Sequence, residues 1–198
     1  EAPEINAKYR AELAVPLDDY EHVVGVFDTS TASFFGYDDM AAFYAGVAEL
    51  ASAFPRVLFL CKPKRPIEEV FANGAGGREV EASFAAAANV AVVPEHFETA
   101  AVVAFSDLSI NACYTSPAVE TIGAGRPAIY YDPTDLYPDS FFRRIPDFVA
   151  TSGEELATLV ESQLTGDPRL TRFDALEGHF DGLAISRLRE RLRLVLDA

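Results

Sequence analysis

The stretch Leu108–Asp132, LSINACYTSPAVETIGAGRPAIYYD, restricts the fold more than any other part of the chain. A short apolar run, Leu108–Cys113, stops at Tyr114-Thr115-Ser116-Pro117. A segment of helical character then reaches Gly123-Ala124-Gly125, and a second apolar run follows over Pro127–Tyr131. The order predicted is strand, tight turn, helix, strand. Pro117 suits the first helical position, where its missing N–H is no loss. Ser116 is then the N-cap, its oxygen accepting a bond from an orphan backbone N–H. A helix amino end beyond the carboxyl end of a parallel strand is a natural anion site. With Ser116 as cap, the capping-box position falls on Val119. Glu120 is therefore left free, one turn into the helix, to accept hydrogen bonds from a ribose. The plainer alternative is a first-turn glutamate that interacts favourably with the helix dipole.

The same alternation runs through the rest of the chain. Residues 1–22 form a polar, partly helical lead-in broken by Pro16 and Asp18-Asp19, and Val23–Phe27 is the first strand. A small polar loop, Asp28–Ser33, separates it from a helix capped by Asp38-Asp39. In that helix Met40, Phe43, Tyr44, Val47, Leu50 and Phe54 recur at the three- and four-residue steps of one apolar face. Val57–Cys61 is wholly apolar, as a strand buried on both faces must be. Lys62-Pro63-Lys64-Arg65-Pro66 follows it directly. Asn73–Gly77 reads as flexible, Arg78–Ala88 as a helix, Val90–Val93 as the third strand and Glu98–Phe105 as a short helix. Beyond the central unit, Asp132–Pro146 is an aromatic, proline-rich loop and Phe148–Ala150 a short strand. Ser152 caps a helix to Leu164, with Glu155 completing its capping box. Asp167–Ala198 reads as helices packing back through Leu188, Leu192, Val195 and Leu196, with alternating arginines on a solvated face. Strands alternating with helices imply a doubly wound parallel sheet with right-handed crossovers.

A chain of 198 residues, about half of them hydrophobic, has enough length for one domain with a sizeable core. No run approaches the roughly 20 apolar residues of a membrane span. The first residues lack the basic start and apolar core of a signal peptide, and the missing initiator Met points to a processed chain or an excised piece. Cys61 and Cys113 sit in apolar runs and read as buried free thiols, so a reducing cytoplasm is the default compartment. The formal charge of −15 argues against nucleic acid or an anionic membrane as partner. A phosphate-bearing ligand therefore needs a local basic cluster working against that field.

In a sheet of this kind the ligand lies beyond the carboxyl ends of the strands. Those ends carry Asp28–Ser33 with Thr29 and Ser30, then Lys62, Lys64 and Arg65, then Glu95-His96, then Tyr114, Thr115 and Ser116 with Glu120, and finally Asp132–Asp135. The set suits a nucleoside diphosphate, with cations and N–H groups for phosphates, Glu120 for ribose and an apolar or aromatic wall for the base. Lys62 is the most rigidly placed cation because it continues the strand, although a lysine after a strand is often merely a solvated chain end. Other chemistries fit less well. His22, His96 and His179 match no zinc spacing, and His22 and His179 read as surface residues, while His96 stands at a strand end near the site. There is no nucleophile elbow, Walker lysine loop or dinucleotide fingerprint. Neither a metal nor an organic cofactor is expected. Gly123-Ala124-Gly125 reads as a helix C-cap.

These residues resemble a known family. A strand, an S/T-S-P turn, a glutamate in the next helix, then A-G-R-P and a strand ending in D-P are similar to the C-terminal half of GT-B glycosyltransferases. The nearest likeness is to bacterial polysaccharide-biosynthesis proteins with a P-F-T-S motif, standing here as Cys113-Tyr114-Thr115-Ser116. Phe180–Arg187 resembles that group's D-G-x-A-x-x-R ending, and Lys62–Pro66 the K-P-H-P of related polymer transferases, without the histidine. The resemblance implies a Rossmann-like GT-B C-terminal domain over residues 23–165, with C-terminal helices over 166–198. It implies a metal-independent transferase that takes sugar from a nucleotide-sugar donor. Lys62, Lys64 or Arg65 would stabilise the leaving phosphate, Thr115 and Ser116 would bind its oxygens, and Glu120 the ribose. The acceptor base belongs to an N-terminal acceptor-binding domain missing here, so this piece alone should bind donor without turnover. Two alternatives stand beside it: a nucleotide-sugar epimerase of the same architecture, and a non-catalytic Rossmann-like module binding a partner through the Tyr130–Phe142 aromatic loop.

Overall fold

The computed structural model describes residues 8–13, 15–31 and 35–166. Its strands are β1 (His22–Phe27), β2 (Val57–Lys62), β3 (Val90–Val92), β4 (Leu108–Ala112), β5 (Ala128–Tyr131) and β6 (Val149–Ala150). The helices are α1 (Tyr37–Ala53), α2 (Ile67–Asn73), α3 (Gly77–Ala86), α4 (Thr99–Phe105), α5 (Ser116–Gly123) and α6 (Gly153–Leu164). The strands form one sheet in the order β3-β2-β1-β4-β5-β6, and every pairing is parallel.

Two-sided burial follows from the apolar runs. Val24 and Val26 of β1 join one cluster with Phe59 and Cys61 of β2, while Val23 and Phe27 join another with Leu58 and Leu60. In β5, Ile129 and Tyr131 belong to the first cluster, and Ala128 and Tyr130 to a third. Helices α1, α2, α3 and α6 cover the first face, α4 and α5 the second. Each large side chain sealed this way, such as Phe43 or Phe59, contributes about 1.5–3 kcal/mol. Cys61 and Cys113 are buried free thiols, and burial pushes both pKa values well up.

Strand order is what creates the site. From β1 the chain moves outward to β2 and β3, then returns past β1 to β4 and continues to β6 on the other side. Register brings Phe27 opposite both Lys62 and Asn111, so the ends of β1, β2 and β4 lie together. Segments leaving β1 and β4 diverge there and open a crevice.

The predicted strands recur to within about a residue at each end. Residues 67–73 form α2, a helix the sequence pattern did not separate from the basic turn before it. Asn73–Gly77 holds a hydrogen-bonded helix–helix turn: Gly74 N–H donates to Val70 O, Gly77 N–H to Gly74 O, and Ala75 N–H to Asp38. Close packing explains the glycine at 77, where a Cβ would lie 2.4 Å from the Phe71 carbonyl oxygen. Asp38 and Asp39 do serve the start of α1, though not as the cap itself. Gly36 is the N-cap, and Asp39 accepts its N–H at 2.8 Å. Ser152 caps α6 as predicted, accepting from Glu155 N–H, while the Glu155 carboxylate reaches one residue further back to Thr151 N–H. The expected C-terminal helices over Asp167–Ala198, with His179 and the Phe180–Arg187 ending, lie outside the described residues.

Candidate functional site

A cavity of about 360 Å³ occupies the crevice beyond β1, β2 and β4. One wall is Asp28, Thr29 and Ser30 after β1, and a second is Lys62, Pro63 and Lys64 after β2. The third is Tyr114, Thr115, Ser116 and Pro117 at the start of α5. The sequence-predicted hydroxyls and two of the three predicted cations therefore meet in one hollow. A second hollow of about 400 Å³ adjoins it through Ser30, Pro63 and Lys64. The rest of its lining mixes Pro66, Ile67, Val92 and Val93 with Arg65, Glu68 and Glu95.

The α5 wall differs by one residue from the sequence reading. Thr115, not Ser116, is the N-cap, and Ser116 and Pro117 are the first two helical residues. Thr115 supplies no side-chain cap because its hydroxyl donates to Ala112 O at 2.9 Å. A proline at the second position has no N–H, so the groups left without intrahelical partners include the Ser116 and Ala118 amides. Among the described residues no side-chain cap bonds to them. This helix start is open to an anion.

Lys62 stands opposite. Its ammonium donates to the backbone carbonyls of Glu95 at 3.2 Å and Pro63 at 3.5 Å. Among the described residues no carboxylate lies within ion-pair distance of Lys62, Lys64 or Arg65. Their charges remain available to a ligand.

Asp28 belongs to the strand-end set read from the sequence, which gave it no role of its own. It is buried, and it accepts the Lys64 amide at 2.5 Å and the Tyr44 hydroxyl at 2.9 Å. Burial raises its pKa to about 6, against the lowering effect of those two bonds and of the Lys62 and Lys64 charges. The sequence signal was a carboxylate placed directly after a wholly apolar strand.

Besides Arg65, two predicted residues are not brought to the hollow. His96 Nε2 lies 2.6 Å from Glu12 Oε2, and its ring stacks on Tyr9. Glu120 is exposed one turn along α5 and lines none of the cavities. Among the described residues no group of three or more His, Cys, Asp or Glu side chains is arranged to hold a metal ion.

Beside the α5 wall stands the aromatic loop after β5. Tyr114 packs on Tyr130 and Phe142 with centroids 4.9 Å apart in each case. Asp132, buried at the end of β5, accepts the Leu136 and Tyr137 amides and pairs with Arg143 at 2.7 Å. That clasp fixes the loop against Tyr114, and a shallow hollow between Tyr114 and Tyr137 opens beside the phosphate-sized cavity.

A sequence profile described as polysaccharide biosynthesis PFTS motif protein matches residues 9–160. No curated protein sequence matches the chain. Among solved structures, the wall teichoic acid polymerase TagF aligns over 100% of this chain and 48% of its own, at 13% identity and a TM-score of 0.55. The UDP-GlcNAc 2-epimerase of Neisseria meningitidis, bound to UDP-GlcNAc, aligns over 83% of this chain and 42% of its own, at 14% identity and TM-score 0.53. The C-terminal domain of the group 1 glycosyl transferase LpcC from Francisella tularensis aligns over 84% of this chain and 86% of its own, at 14% identity and TM-score 0.53. The fold is thus that of a GT-B C-terminal half, and the chain spans about half the length of the full-length neighbours.

Proposed function

Because the chain belongs to the family of PFTS-motif polysaccharide-biosynthesis proteins, we propose that it binds the nucleotide-sugar donor of a glycosyltransferase that builds bacterial surface polysaccharide. The observation that carries this reading is one cavity lined both by Lys62 and Lys64 and by Thr115, Ser116 and Pro117 at the amino end of α5, which has no side-chain cap. Two phosphates fit that pairing. Cations on one side and helix amides on the other stabilise the charge that grows on the departing nucleotide, which is the main catalytic demand of sugar transfer without a metal.

In this reading Lys62 and Lys64 neutralise the leaving diphosphate. The hydroxyls of Thr29, Ser30 and Ser116 hydrogen-bond its oxygens, and Arg65 lines the adjoining hollow, which takes the base. Glu120, exposed on α5 and outside both hollows, makes no contact with the donor in this reading. An acceptor and its general base come from a second, N-terminal domain, so residues 23–165 bind donor without transferring it. The setting is the bacterial cytoplasm. Among the described residues no helix is long and apolar enough to cross a membrane. An epimerase of the same architecture differs in releasing a changed sugar without an acceptor, and product analysis of the two-domain protein separates the two.

The test is thermal unfolding with UDP, GDP, CMP and their sugars. A ligand at about a hundred times its Kd stabilises by about 2.7 kcal/mol, a rise of roughly 5 °C or more in Tm for a chain of this size. Lys62→Glu should abolish the rise, since it inverts the central cation. No response to any of these compounds overturns the donor reading, and an unchanged response in Lys62→Glu overturns the phosphate assignment.

A further inference from the structure

Among the described residues that line the phosphate-sized cavity, Asp28 is the only carboxylate. It is 6% exposed, and both oxygens are engaged: Oδ1 accepts the Lys64 amide and Oδ2 the Tyr44 hydroxyl. The titratable groups acting on it are Tyr44 from α1, Cys61 and Lys62 from β2, and Lys64 just beyond. A carboxylate so placed has two opposed effects. Through the Lys64 amide it shapes the turn that presents Lys62 and Lys64. Its negative charge, inside the same hollow, repels an incoming phosphate.

We infer that Asp28 is a positioning residue that couples donor binding to proton uptake, giving up its charge when a phosphate enters while still holding the lysine turn. The geometry permits both roles together. With a proton from solvent on Oδ2, Asp28 keeps its Oδ1 bond to the Lys64 amide, and the new O–H is free to donate to Tyr44 or to a phosphate oxygen. Burial has already brought the carboxyl to a pKa of about 6 in the empty protein, so a further rise beside a bound anion reaches the neutral range.

This inference rests on the donor reading above, and its test separates the two. UDP-glucose, UDP-N-acetylglucosamine and GDP-mannose are diphosphate diesters, with no phosphate proton titrating near neutrality. Titration calorimetry of the whole chain with whichever of these binds, in two buffers of different ionisation enthalpy near about pH 7, counts the protons taken up. Wild-type protein should take up a measurable fraction of a proton. Its affinity should weaken about tenfold for each pH unit by which the bound-state pKa exceeds that of the empty protein. Asp28→Asn should show no uptake and a flat pH profile. Tyr44→Phe removes a hydroxyl that lowers the Asp28 pKa; it should retain uptake and move the midpoint to higher pH, and it serves as the test if Asp28→Asn does not fold. Binding without uptake in wild type, or uptake that persists in Asp28→Asn, overturns the inference and leaves the donor reading intact. Failure of these probes and of every nucleotide and nucleotide sugar in the thermal screen to bind overturns the donor reading and this inference with it.

Discussion

Asp28 reverses the pH behaviour usual for a carboxylate that accepts hydrogen bonds beside cations. Its folded pKa of about 6 lies above its ordinary value of 3.8, because burial outweighs the hydrogen bonds and the lysine charges. Between about pH 4 and pH 6 the unfolded chain therefore releases this proton while the native state keeps it. Stability falls across that window as pH rises and is level above it, with a contribution of about 3 kcal/mol from a shift of roughly two units. Asp28→Asn removes the contribution. Urea unfolding of wild type and variant should show the difference between them moving by about 3 kcal/mol in favour of the variant from pH 4 to pH 7. Other carboxylates are common to both proteins and cancel, so a difference that does not change with pH would refute the buried-acid assignment. None of this was legible in the sequence. The groups that bury and bind Asp28 stand 16 and 36 residues away, on α1 and beyond β2. In the sequence Asp28 is simply the first residue of a polar loop.

Elements were more legible than residues, wherever one signal dominated. Most strands announced themselves as apolar runs because the sheet is covered on both faces, although β4 buries Ser109 and Asn111 within its run. α1 showed through its apolar periodicity, and α6 through the Ser152–Glu155 cap. Failures came where two signals competed. α2 is only a turn or two long and follows a proline-broken basic run, so Ile67, Val70 and Phe71 did not stand out as a helical face. At α5 the sequence reading took Ser116 as cap, but the helix begins one residue earlier, with Thr115 as N-cap and its hydroxyl turned back to Ala112 O instead of capping the helix. Packing between elements was invisible as well, and Gly46 is the clearest instance. A Cβ there would lie 2.4–2.7 Å from the ring and hydroxyl of Tyr131, itself buried in β5. Alanine is the better helix former by about 1 kcal/mol. Overpacking a fixed aromatic in a filled core costs about 1–3 kcal/mol. Gly46→Ala should therefore lower the urea midpoint despite the gain in propensity, and a raised midpoint would show that Tyr131 can move aside.

For the whole molecule the question is how an acidic protein admits an anion. The sequence carries a formal charge of −15, yet the cavity gathers Lys62 and Lys64 opposite open helix amides. The two fields act over different ranges. At about 10 mM salt the screening length is about 30 Å, so an approaching nucleotide sugar feels the repulsion of the entire surface. At about 150 mM it is about 8 Å, and only the charges around the cavity remain in view. Their local sum is positive even with Asp28 ionised. Stopped-flow association of a nucleotide sugar should accelerate as salt rises from 10 to about 150 mM, the reverse of the behaviour of a basic binding protein. Lys62→Glu removes the attractive part and should associate slowly at both ends of the range. A rate that falls steadily with added salt would mean that the cavity's own field extends past the acidic surface around it. The picture of a small cationic corner set in a repelling surround would then be wrong.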